Sequence, residues 1–73
     1  MDSEKLSLLL NKSFEKNEEA DKLVREMIER NYNVKSSAWR AVAMDDVMEL
    51  VDSGEIPADF GVWLQGKIAV VQL

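Results

Sequence analysis

The stretch AWRAVAMDDVMELVD, residues 38 to 52, decides the fold that we predict for this chain. It contains neither Gly nor Pro and favours a helix that ends at Ser53-Gly54, with Ser36 or Ser37 as its N-cap. At about 100° per residue, apolar side chains cover about half of the helix circumference and acids share the rest. The apolar residues are Trp39, Ala43, Met44, Val47, Met48, Leu50 and Val51. So broad an apolar face predicts a central helix that packs against more than one neighbour.

Residues 4 to 31, which precede this helix, also contain no Gly or Pro and are rich in Glu, Lys and Leu. They are predicted to be helical, with Asp2 or Ser3 as the N-cap. Apolar residues form one stripe along this helix, with Leu23 at its edge: Leu6, Leu9, Leu10, Phe14, Ala20, Val24, Met27 and Ile28. Because the phase of the stripe is continuous, we favour one long amphipathic helix over a helical hairpin broken near residues 11 to 17.

An unbroken N-terminal helix is too long for a compact domain. At about 1.5 Å per residue, the 28 residues from 4 to 31 would span about 42 Å, whereas a domain of this length is about 30 Å across. A protruding helix needs a partner, so we predict a homodimer that self-associates through the stripe. The seam residues are Leu6, Leu10, Phe14, Asn17, Val24 and Met27, with Asn17 at a position where a buried amide sets the register.

A shorter helix, about residues 57 to 65, is predicted between Pro57 and Gly66. Continuing it past Gly66 would place that residue and Gly61 in its interior, which costs about 2 kcal/mol relative to alanine. The inward side chains of this helix are Phe60, Trp63 and Leu64. The β-branched residues that follow suggest a C-terminal β-strand at about 67 to 72, paired with a second chain or a partner protein.

The composition predicts one small helical domain, mainly α, over residues 1 to 73, without covalent chemistry of its own. The chain has no His and no Cys, the commonest groups for nucleophilic attack, proton transfer and metal binding. We therefore expect no enzymatic activity, no cofactor and no metal site. The N-terminus lacks the basic start of a signal peptide, and no apolar run approaches about 20 residues. These features predict a cytoplasmic protein without membrane contact.

The net charge of -5 is concentrated in one part of the chain. Residues 1 to 40 contain eight acids and eight bases, whereas residues 41 to 73 contain six acids and only Lys67 as a base. This charge would repel nucleic acid and anionic membranes and attract a basic protein. Four acids share one face of the central helix, either as a solvated surface or as a docking face: Asp45, Asp46, Glu49 and Asp52. Arg40 lies within the apolar arc, where it is expected to reach solvent or to pair with an acid across an interface.

The sequence thus predicts a non-enzymatic protein–protein interaction module that associates with itself through the N-terminal stripe and through residues 67 to 73. The alternative is a small acidic inhibitor that covers a basic site on a nucleic-acid-binding protein with the acids of segment 45 to 59. Association through an apolar stripe should resist salt, whereas association through carboxylates should weaken as salt is added.

Overall fold

Four helices make up most of the chain in a computed structural model, which describes residues 3–11 and 18–73. They are α1 (Ser3–Asn11), α2 (Glu18–Asn31), α3 (Trp39–Asp52) and α4 (Ala58–Val70), and no strand occurs within the described ranges. The molecule measures 29 × 28 × 20 Å, with a Cα radius of gyration of 11.2 Å. The prediction of a small, mainly helical domain is therefore confirmed.

The N-terminal segment forms two helices that contact each other, so the single helix predicted for residues 4 to 31 is wrong. The longest dimension, 29 Å, is well below the span of about 42 Å that such a helix requires. The physical reason is burial: packing α1 on the rest of the chain covers Leu6 and Leu9, which a protruding helix would leave in water. The break predicted near residues 11 to 17, together with Phe14 and Asn17, falls largely on residues 12 to 17, outside the described part.

The core lies between the inner faces of the helices and, among the described residues, contains no buried polar or charged side chain. Each large apolar side chain covered here contributes about 1.5 to 3 kcal/mol. Phe60 stacks on the partly buried Trp63 with 5.6 Å between the ring centroids. The buried residues are Leu6, Leu9, Ala20, Val24, Met27, Ile28, Ala43, Val47, Ile56, Phe60, Leu64 and Ile68.

Helix α3 ends where the sequence predicts, at Ser53-Gly54. Gly54 has φ of 80°, a conformation that glycine adopts without steric cost. Its N–H donates to the Val51 carbonyl (3.1 Å), and the Glu55 N–H donates to the Leu50 carbonyl (3.0 Å). These two bonds form a Schellman motif, which satisfies carbonyls that the helix end leaves open.

The start of α3 differs from the prediction of a serine N-cap. The capping position is Ala38, which has no side-chain hydrogen bond of its own. Ser36 lies two residues earlier, and its Oγ accepts a hydrogen bond from the Ala38 N–H at 3.2 Å. The serine therefore stabilises the turn before the helix, because hydroxyl groups also bond to the backbone in such local turns.

Helix α4 runs through Gly66 to Val70, so the predicted stop at Gly66 and the predicted strand at 67 to 72 are both wrong. The extra turn buries Ile68 completely, which outweighs the roughly 1 kcal/mol cost of a glycine inside a helix. Arg40 stabilises the end of the turn, because its guanidinium donates to the carbonyls of Ile68 and Val71, the second at 3.2 Å. Arg40 is thus half-buried, and its guanidinium is engaged by these carbonyls of its own chain. Pairing with an acid across an interface stays a prediction.

Helices α3 and α4 are antiparallel and lie close together. Gly61 packs beside Val51, the Gln65 amide donates to the Met44 carbonyl at 3.5 Å, and Arg40 reaches the last turn of α4. Gly61 is buried, and a Cβ atom placed on it would overlap the Cγ2 atom of Val51. The close approach of the two helices therefore depends on the missing side chain at Gly61.

Candidate protein-interaction surface

The outer groove between α3 and α4 is lined by apolar and small side chains that water reaches. We call this surface the α3–α4 face. Val62 is 69% exposed and Met48 is 52% exposed, although both are large apolar residues. Ala41, Ala58 and Ala69 are also exposed, whereas Met44 and Gln65, which meet between the two helices, are half-buried. The face consists of Ala41, Met44 and Met48 from α3 and Ala58, Val62, Gln65 and Ala69 from α4.

Helical geometry brings these residues to one side of the helix pair. On α3, Val47 faces α4, and at about 100° per residue Met48 is turned outward from it, away from the buried Ala43. On α4, Val62 is turned outward from Gly61 by the same angle and lies nearly opposite the buried Leu64. The helices are antiparallel, with Gly61 beside Val47 and Val51 and with Gln65 beside Met44. Met48 and Val62 therefore lie at about the same height along the helix pair. The two exposed side chains therefore belong to one continuous surface.

Helix α4 is apolar on nearly every side. Its charged residues are Asp59 and Lys67, and its outer side presents Ala58, Val62 and Ala69 to water. A helix that is apolar all round is normally covered on all sides. In this chain the inner side of α4 is covered by the core, and the outer side is not.

The N-terminal seam predicted from the sequence is mostly occupied by the chain itself. Leu6, Val24 and Met27 are 8%, 1% and 0% exposed, so they pack in the core. Leu10 is 40% exposed and is accessible to another molecule. Phe14 and Asn17 lie outside the described residues. Side chains that are already covered offer little surface to a second copy, so of the described seam residues only Leu10 is accessible.

The four acids predicted as a partner face do not share one environment. Asp45, Glu49 and Asp52 are exposed on α3, whereas Asp46 is half-buried and accepts a hydrogen bond from the Tyr32 hydroxyl at 2.5 Å. Asp46, Glu49 and Glu55 also border a surface depression of about 260 Å³. Within residues 3–11 and 18–73, no three or more acidic side chains are grouped so as to hold a metal ion.

The contact between Tyr32 and Asp46 predicts an alkaline transition. Burial raises the pKa of Tyr32 above its ordinary value near 10, and the hydrogen bond and the charge of Asp46 add to that effect. Because the pKa is higher in the folded state, the stabilisation by the neutral phenol is complete below about pH 10 and is lost as the pH rises further. Tyr32 is the single tyrosine of the chain, so the ultraviolet absorbance of tyrosinate reports on it alone.

In an alkaline titration we expect the native chain to ionise Tyr32 at a higher pH than the chain unfolded in guanidinium. Asp46→Asn should reduce this difference without removing it, because burial is the larger cause. A native midpoint that coincides with the unfolded one would contradict the contact.

A second depression, of about 240 Å³, lies between α2 and the end of α4. Its polar part is an ion pair in which the Lys67 Nζ atom lies 2.6 Å from the Asp21 Oδ1 atom. Val70, which is exposed, and the half-buried Val71 line the other part. An exposed ion pair of this kind contributes little to stability. The depression lies between α2 and α4, and the residues that line it do not place a nucleophile beside a general base.

Two features of the candidate surface were not predicted from the sequence. Met44 and Met48 were both assigned to the core arc of α3, although Met48 is half exposed. Ala58, Val62 and Ala69 recur at the spacing of one helix face, which is the signal for a second apolar stripe. That stripe was cut short in the prediction, because the helix was ended at Gly66.

No helix in the described part of the chain combines the length and the apolar character needed to cross a membrane. Comparison with protein-family models, with curated proteins and with solved structures found no match.

Proposed function

We propose that this protein is a non-enzymatic interaction module that docks a partner polypeptide on the α3–α4 face. The observation that carries the proposal is the exposure of Met48 and Val62 on two packed helices, where helical geometry places both on the outer side at the same level. Removing apolar surface from water contributes about 25 cal/mol of favourable free energy for each Å² that a partner covers. Contiguous apolar patches on small proteins commonly mark interaction sites.

The residue types of the face suit a helical partner. Met44 and Met48 have flexible thioether side chains that adapt to an incoming surface. The alanines and Gly66, whose missing side chain faces open space, leave room for a backbone to approach closely. Helix α4 has 13 residues, which gives a groove about 20 Å long at about 1.5 Å per residue. An amphipathic helix lying in such a groove is a common mode of peptide recognition.

We expect the double substitution Met48→Gln with Val62→Gln to abolish partner docking, with at least about a thirtyfold loss of affinity. Central apolar anchors carry much of the energy of an interface, and two amides would leave water in the groove. The measurement is selection of a displayed peptide library on the immobilised chain, followed by affinity measurement of the enriched peptides on both proteins.

The matched control is Val42→Gln, which changes an apolar residue that is 48% exposed on another side of α3. This variant should bind the selected peptides as the unmodified chain does. Thermal unfolding followed by circular dichroism checks that all variants are folded. If no selected peptide and no self-association depends on Met48 and Val62, the proposed function is wrong.

Self-association stays a separate prediction. Light scattering after size exclusion, over a concentration series at about 0.15 and 1 M NaCl, measures it directly. Leu10→Asp is the suitable seam variant, because Leu10 is exposed, whereas Val24→Asp would place a charge in the core. A dimer that Leu10→Asp dissociates supports the N-terminal seam, and a dimer lost with Met48→Gln and Val62→Gln assigns self-association to the α3–α4 face.

The alternative of an acidic inhibitor also stays a prediction. Asp45, Glu49 and Asp52 are accessible on α3 and are available to a basic site. Asp45→Asn with Glu49→Gln should weaken the binding of such an antagonist steeply.

A further inference from the structure

We infer that the partner of the α3–α4 face is an amphipathic helix whose apolar stripe is bordered by lysine or arginine. This inference rests on the proposed function and adds the chemistry of the occupant. It is drawn from three features: the apolar groove, the position of the acids around it, and the position of the few bases.

Exposed carboxylates border the groove on both helices. On α3, Asp45 precedes Met48 by three residues and Asp52 follows it by four. On α4, Asp59 precedes Val62 by three residues. Residues three or four apart on a helix are surface neighbours, with about 5 to 6 Å between their Cβ atoms. A helix seated between Met48 and Val62 would therefore meet Asp45 and Asp52 on its α3 flank and Asp59 on its α4 flank.

No base in this part of the chain offsets these acids. Residues 41 to 73 contain Lys67 as their single base, and its ammonium pairs with Asp21 on the α2 side of α4. The Arg40 guanidinium is engaged by carbonyls at the end of α4 and lies over the Trp39 ring. The border of the groove is thus negative, which speeds the approach of a positive partner and favours its docking.

Charge also distinguishes a basic helix from the other occupants. A second copy of this chain would bring the same acids and a further net charge of -5 to the interface. Nucleic acid and anionic membranes would be repelled in the same way. A helix with an apolar stripe and basic flanks satisfies both the apolar groove and its border.

The probe is a dye-labelled synthetic peptide about 18 residues long, which as a helix spans the groove. It carries leucine at one helical stripe and lysine on both flanks, and binding is followed by fluorescence anisotropy at about 0.15 M NaCl. One control peptide has the same leucines with glutamate flanks. A second has the composition of the probe but scrambled leucines, so that it has the charge without the stripe.

We expect the lysine peptide to bind at least about tenfold more tightly than either control. Asp52→Asn with Asp59→Asn should weaken it at least about fivefold, and about 1 M NaCl should act in the same direction, because salt screens these charges. The matched control is Glu18→Gln with Glu29→Gln, which removes two exposed acids from α2 and should leave the affinity unchanged.

The outcomes separate the inference from the proposed function. If the glutamate peptide binds as well as the lysine peptide, and both need Met48 and Val62, the basic partner is wrong and the docking face stands. If the scrambled peptide binds equally, or if the α2 acids matter as much as Asp52 and Asp59, the attraction is general and the inference is wrong. If neither leucine-striped peptide binds, the inference also fails, and the library selection decides on the face.

Discussion

Replacing Gly61 with leucine is expected to lower the free energy of unfolding by about 3 kcal/mol, the upper range of overpacking effects. The same replacement at Gly66, in the same helix, is expected to raise it by about 0.5 to 1 kcal/mol. A side chain at Gly61 would overlap Val51 and approach Val47, so α3 and α4 would have to separate. A side chain at Gly66 meets open space, and leucine is the better helix former.

Urea denaturation followed by circular dichroism measures both effects. A chain of this size is stabilised by only about 4 to 11 kcal/mol, so Gly61→Leu should remove much of that stability. Gly66→Leu is the matched control, because it makes the same chemical change five residues away. Equal effects at the two positions would show that α3 and α4 do not pack as closely as described.

Arg40→Ala is expected to lower the free energy of unfolding by about 2 to 3 kcal/mol. The change removes two hydrogen bonds from a charged group to the carbonyls of Ile68 and Val71, and such bonds contribute about 1.5 to 3 kcal/mol. It also removes the cation from its position over the Trp39 ring, at 4.6 Å. The last turn of α4 should open first, because those carbonyls would lose their partner.

Amide hydrogen exchange should show this opening as faster exchange at Ile68 and Val71 than in the unmodified chain. Arg40→Lys should restore only part of the protection, since one ammonium lacks the planar fork that reaches two carbonyls. Arg25→Ala, at an exposed arginine of α2, is the control and should change little. Unchanged exchange in Arg40→Ala would mean that burial of Ile68 alone holds the turn.

The features that depend on residues close together in the sequence were predicted correctly. The extent of α3 was predicted closely, because its apolar arc is wide and Gly54 provides the left-handed residue that its end requires. The inward position of Phe60 and Leu64 was also predicted, because both lie on one side of a short helix. Each of these features depends on residues within a few positions of one another.

Predictions failed where two distant segments compete for the same surface. The apolar stripe of residues 4 to 31 fits both a long helix in a dimer and two helices packed on the same chain. The phase of the stripe is equal in the two cases, and only the core formed with α3 and α4 decides between them. Leu6, Val24 and Met27 were therefore assigned to an intermolecular seam, although they are core residues in the structure.

The α3–α4 face was also only partly predictable from the sequence. Methionines on α3 and a second stripe on α4 are visible in the sequence, but their meeting in one groove depends on the antiparallel contact through Gly61. The end of α4 also depends on Arg40, which lies 28 residues before Ile68. A stop signal as local as Gly66 is overridden when a distant side chain satisfies the helix end.

By itself, the sequence determined that the chain is mainly helical, that apolar residues cover about half of the circumference of α3, and that its negative charge is concentrated in residues 41 to 73. These properties are set by composition, periodicity and short-range capping, which act within a single segment. Only the tertiary structure decided that the N-terminal stripe is buried, that α4 continues to Val70, and that Met48 and Val62 share an exposed face. The physical reason is that burial and hydrogen bonding at these positions are supplied by residues far away in the chain.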